Sequence, residues 1–164
     1  MKYEANVKYS ERLVKQAVFA YWKKSVGYAL PAVIIFMALL AGYLIYAGNY
    51  SWLTGLVLSS VGIGAICIFA LFVVHYLNSM KKLKEMAIPE AILTAETKSF
   101  TVTTSKASST IQWSIIQEVW CYEGFWLLLF SKAQFMTIPL ENIPEEMKSF
   151  LINKVEEAGG KVVC

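Results

Sequence analysis

The side chains able to do chemistry are few in kind. The chain has no Asp, one Arg (Arg12), one His (His75) and three Cys (Cys67, Cys121 and Cys164). Triads, two-metal sites and phosphoryl clamps usually draw on His, Asp and Arg. A site here would have to be built from Glu, Lys, Ser, Tyr and Cys, which argues against an enzyme. The nearest approach to one is Cys121, three residues after Glu118. An outward Glu on a strand is ordinarily solvated surface, however, and Cys67 and Cys121 read as small buried hydrophobes. No CxxC pair or Cys/His cluster occurs, so neither a metal site nor a disulfide framework is indicated, and no cofactor is expected. The terminal Cys164 is not a prenylation signal, which needs Cys four from the end. His75 titrates nearest neutrality, but it lacks an evident co-ligand and reads as an interfacial polar residue beside Tyr76.

Three groups of residues are candidates for recognition. Lys23, Lys24, Lys81, Lys82 and Lys84 flank a long apolar stretch and could contact anionic lipid headgroups, each contributing about 1 kcal/mol near a charged surface. The plain alternative is that they only set orientation. Trp120, Tyr122 and Trp126 form a possible partner surface, against the simpler reading of core or cross-strand pairs. Small residues recur four apart, Ala38 with Gly42, Gly55 with Ser59 and Ser60 with Gly64. Such spacing lets helices approach closely, and packing within one hairpin is favoured over a dimer contact.

The elements that must carry these residues are dominated by one feature. From Ser25 to Met80 there are 56 consecutive residues without Asp, Glu, Lys or Arg. A hydrocarbon core about 30 Å thick needs roughly 20 apolar residues per helix, so this stretch suits two passes and a tight turn. The expected passes are 25–47, where Pro31 could introduce a kink, and 52–77, joined by Gly48-Asn49-Tyr50-Ser51. The apolar run starts too late, and runs too long, for a cleaved signal peptide. The turn has no Lys or Arg, whereas the N-terminal flank has six and the exit has Lys81, Lys82 and Lys84. The positive-inside rule then puts both termini in the cytoplasm, in a multi-pass protein of the inner or plasma membrane.

Outside that stretch the periodicity changes. Lys2 to Tyr9 alternates as a strand, and it must pair with a sheet elsewhere. Ser10 and Glu11 start an amphipathic entry helix through Leu13, Val14, Ala17, Val18, Tyr21 and Trp22. Strands are expected at 91–94, 100–104, 109–113, 116–122, 125–130 and 135–138, with a turn at Glu123-Gly124. Pro144 opens a helix whose apolar face is Met147, Phe150, Leu151, Val155 and Ala158, and Gly159-Gly160 stops it. The expected fold class is thus an α+β membrane protein: a two-helix transmembrane hairpin plus a small pleckstrin-homology-like (PH-like) antiparallel β barrel with a C-terminal helix. Its divisions are 1–24, N-terminal strand and entry helix; 25–77, hairpin; 78–90, juxtamembrane linker; and 91–164, cytoplasmic β domain with its helix.

The run from Phe100 to Pro144 resembles the bacterial YcxB-like family. Trp113, Ile116, Glu118, Phe125, Leu128, Phe135, Ile138 and Pro139 stand where that family has its recurrent residues. The order of strand, helix, two close passes and β domain extends the resemblance over nearly the whole chain. The family commonly continues Pro-Lys-Arg, where this chain has Pro139-Leu140-Glu141, so that basic pair is not carried over. The resemblance implies a membrane-anchored PH-like domain and brings no catalytic residues. The expected function is a non-enzymatic interaction module at the cytoplasmic face, binding a protein partner, a second copy or anionic membrane lipid. The alternative is a subunit of a small oligomeric transporter or channel, against which stands the absence of Asp, Glu, Lys and Arg from both passes. Residues 81–164 have a net charge of −1, so nucleic acid is not an expected ligand.

Overall fold

The computed structural model describes residues 2–86, 88–132 and 134–164. Ala87, inside the predicted linker 78–90, lies outside the described residues. The chain divides into two compact units, Met1–Ala17 with Asn78–Cys164, and Val18–Leu77.

The second unit is helical. The entry helix α1 (Glu11–Val26) ends before Gly27, whose φ of 65° suits a residue without Cβ. Helix α2 (Ala29–Tyr46) follows, and Pro31 falls in its first turn, where its missing N–H costs nothing. The kink expected there is therefore absent, and the break lies at Gly27 instead. After the turn, α3 (Trp52–Glu85) runs for 34 residues, well beyond Leu77. Asn49 shapes that turn: its Oδ1 accepts from Ser51 N at 3.1 Å, and its carbonyl accepts from Thr54 Oγ1 at 2.8 Å. Both α2 and α3 are long and apolar enough to cross a membrane. Within this unit Trp22 Nε1 donates to the Ile68 carbonyl at 3.0 Å, and the Tyr21 and His75 rings meet edge-on at 4.9 Å.

The first unit is a pair of four-stranded sheets. Strands β1 (Lys2–Lys8), β2 (Glu90–Glu96), β3 (Ser99–Thr104) and β4 (Ser108–Gln112) form one antiparallel sheet in that order. The N-terminal strand thus pairs with the C-terminal part of the chain, Lys2 opposite Glu96 and Lys8 opposite Glu90, with ion pairs at 3.9 and 3.1 Å. Strands β5 (Glu118–Tyr122), β6 (Phe125–Ser131), β7 (Gln134–Pro139) and β8 (Lys161–Val163) form the other, in the order β7-β6-β5-β8. The sheets do not close into the predicted barrel. A 3₁₀ turn at Trp113–Ile115 carries the chain from β4 into the second sheet, and the edge of β5 that β4 would need is taken by β8, in parallel. That last strand was not expected beyond Gly159-Gly160.

Helix α4 (Glu145–Glu157) packs Met147, Leu151 and Val155 into the core, with Phe150 half-buried against Tyr3 at 5.0 Å. The core joins the inner faces of both sheets through Val7, Leu93, Phe100, Trp126, Leu128 and Ile138. Strand β6 is buried on both faces, since Phe125 through Leu129 are all buried. Such an unbroken apolar run belongs to a strand covered on each side.

Candidate functional site

The clearest opening lies in the first unit, at the end of the sheet pair away from α4. A half-open cavity of about 830 Å³ is bordered by the ends of β3 and β7, Phe130 of β6, the β3–β4 turn and the last turns of α3. Its walls follow from strand parity. Phe100 and Val102 point into the core, and Val102 lies opposite Ser109. Thr104 and Ser109 therefore occupy inward positions that a closed core would fill with apolar residues. On the other sheet Phe130 and Met136 continue the inward rows of Leu128 and Ile138. The lining consequently mixes apolar and polar side chains.

Two side chains hold this end in shape. Tyr9 follows β1 and donates its hydroxyl to the Thr137 carbonyl at 3.1 Å, which ties the first sheet to β7. Burial pushes its phenol up to about 12. Lys106, in the β3–β4 turn, donates to the Glu85 carbonyl at 2.7 Å and fastens that turn to the end of α3.

The rim is basic. Lys81 and Lys82 line the cavity from α3, whereas Lys84 is not part of its lining. Lys81 makes an exposed 3.9 Å ion pair with Glu85, a contact worth little in water. Lys82 has no ion pair among the described residues. Glu85 lines the cavity too, so its charged lining is two lysines against one glutamate. Lys23 and Lys24 end α1, in the helical unit.

The other candidates are not brought to this site. Trp120 and Trp126 are both about 7% exposed, and Tyr122 is half-buried, so the two indoles offer no surface. They lie on opposite faces of the second sheet, as alternation requires, but its outer face is covered too. Trp120 Nε1 donates to Glu118 Oε2 at 2.7 Å, which gives that carboxylate a structural partner. Cys121 is not a free buried thiol: it is bonded to Cys164, with Cα atoms 4.6 Å apart, where β8 lies along β5. Cys67 is exposed on α3 rather than buried. Of the small residues, Gly64 meets another helix, since an added Cβ would approach Ile34 Cδ1 at 3.0 Å. Gly42 and Gly55 have open space, and Ala38, Ser59 and Ser60 are exposed. No metal-holding group of His, Cys or Glu occurs among the described residues.

Residues 97–155 match the YcxB-like protein family. The resemblance read from the sequence is thereby shown from before β3 into α4. No curated protein and no solved structure matches the chain. The YcxB-like segment supplies Val102, Ser109, Phe130 and Met136 of the cavity, and also Cys121. Tyr9, Lys81, Lys82 and Cys164 come from outside it.

Sequence reasoning singled out the lysines but missed the cavity. Its signal was present in Thr104 and Ser109, two polar side chains at inward strand positions. The Cys121–Cys164 pair was missed because three cysteines do not define a connectivity.

Proposed function

We propose that the chain is a membrane-anchored, non-enzymatic interaction module. In this reading α2 and α3 cross the bilayer as a hairpin. The β unit, two sheets closed at one end by a C-terminal helix, is PH-like in plan and works at the cytoplasmic face. Its ligand is an anionic lipid, whose headgroup meets Lys81 and Lys82 at the rim of the cavity. The observation that carries the reading is the cavity itself: it joins apolar side chains of the strands to Lys81, Lys82 and Glu85, and it is built partly from the helix that continues the second apolar span.

The rest of the chain supports it. The turn between the helices is free of charge while Lys and Arg collect beyond both outer ends, the pattern that sets a cytoplasmic base. The burial of Trp120 and Trp126 weakens a protein-partner reading based on those residues.

The test is equilibrium binding of short-chain phosphatidylglycerol and short-chain phosphatidylcholine to the full chain in nanodiscs. Two lysines at about 1 kcal/mol each give a preference of roughly 30-fold for the anionic lipid. It should shrink in Lys81→Gln/Lys82→Gln and with added salt. Equal binding of both lipids by the unaltered chain would refute the proposal.

A further inference from the structure

We infer that the gap between the two sheets holds one acyl chain of the anionic lipid. This deepens the proposal of headgroup binding at Lys81 and Lys82 and rests on it. Headgroup recognition alone would need a basic surface. Here the lysines stand at the mouth of a cavity of about 830 Å³, and ligand pockets commonly run from about 300 to 1,000 Å³. A sugar phosphate or an inorganic ion would leave much of that volume unfilled.

The chemistry of the lining selects the occupant. Val102, Phe130, Phe135 and Met136 offer hydrocarbon and aromatic surface with no charge. Phe130 and Met136 are only half-buried, although they continue rows that are fully buried at Leu128 and Ile138. Toward α4 the same interior is sealed, with a residual void of only about 10 Å³ beside Trp113, Trp126 and Val155. The cleft thus takes none of its lining from α4, and it carries Lys81, Lys82 and Glu85 where α3 passes. A cleft with a hydrocarbon wall on the strands and two lysines on α3 matches an amphiphile with a negative head and a linear apolar tail. Met136 is well suited to such a wall, because an unbranched thioether side chain adapts to a mobile chain.

Access is built into the connectivity. Lys81 and Lys82 lie four and five residues beyond Leu77 on one continuous helix, a rise of about 6–8 Å. A lipid whose headgroup meets these lysines would have its tail within reach of the slot. No bond is made or broken, and only burial of the tail and pairing of the head drive occupancy.

The test uses the full chain reconstituted in vesicles containing a trace of lysophosphatidylglycerol with a diazirine at the chain terminus. After photolysis, peptides carrying the adduct are mapped by mass spectrometry. Adducts are expected on peptides containing Val102, Phe130 or Met136. Ser109→Phe should place a ring in the slot and cut those adducts at least tenfold, with adducts in the spans unchanged. Adducts confined to 29–77 in the unaltered chain would overturn the inference, as would adducts on the sheet peptides that persist fully in Ser109→Phe. A matched lysophosphatidylcholine probe separates the two claims. If it labels the sheets as strongly as the anionic probe, the headgroup proposal fails and the slot stands. If the anionic lipid is preferred in binding but no probe labels the sheets, the slot fails and headgroup binding stands.

Discussion

Tyr9 is the residue on which the open end of the β unit most depends. Its phenol is largely buried, donates to the Thr137 carbonyl, and is pushed up to about 12. A phenol whose folded value lies above its unfolded value of about 10 contributes stability that is complete below pH 10. That contribution is lost as the pH climbs from about 10 to about 12. The full chain in detergent should therefore lose roughly 2–3 kcal/mol of stability across that window beyond what Tyr9→Phe loses. Chemical denaturation at pH 8 to 11.5 measures it, and parallel curves for the two proteins would remove the role given to Tyr9. Tyr9→Phe should also cost about 1 kcal/mol at neutral pH through the lost hydrogen bond.

The Cys121–Cys164 pair raises a second question at this scale. It closes 43 residues of chain, which would constrain the unfolded state by about 4 kcal/mol when oxidised. Thiols in the cytoplasm are normally kept reduced. The proposed sidedness thus predicts that both cysteines are alkylated when intact cells are treated before lysis, and that they pair only on purification in air. A pair protected from alkylation in living cells would place the β unit in an oxidising compartment and reverse the proposed topology.

Among the elements, the strands and helices were largely legible because each carried a strong local pattern. Alternation marked β1, and Gly124 with its φ of 86° turned β5 into β6 where Glu123-Gly124 was expected. What could not be read was how strands meet across the sheets. The pattern Ser108–Gln112 reads as a strand in a barrel or at an edge, and only the turn at Trp113–Ile115 decides between them. Strand β8 escaped because three residues carry no periodicity, and it exists by virtue of the free β5 edge. Gly160 is its hinge: a Cβ there would sit 2.5 Å from Val155 Cγ1 and 2.7 Å from the Ile116 carbonyl. Gly160→Ala should therefore cost about 1–3 kcal/mol, as overpacking does, and speed amide exchange in 161–163. Unchanged exchange and stability would mean that this end of the chain docks differently.

At the scale of the whole molecule, the charge-free stretch announced two spans and the two helices have the length and composition for them. The candidate site was half legible. Its lysines stood out beside the apolar run, but the slot depends on two sheets that stay apart, which no local pattern records. The buried indoles show the converse: the sequence groups Trp120 and Trp126 as one possible surface, but they lie on opposite faces of the sheet and both are covered. The most direct measurement on the central proposal is the lipid retained by the full chain after gentle extraction from bilayers of equal phosphatidylglycerol and phosphatidylcholine, read by native mass spectrometry. A clear enrichment of phosphatidylglycerol, abolished in Lys81→Gln/Lys82→Gln, is the predicted result. Retention of the two lipids in equal amounts, or an enrichment indifferent to those substitutions, would contradict it.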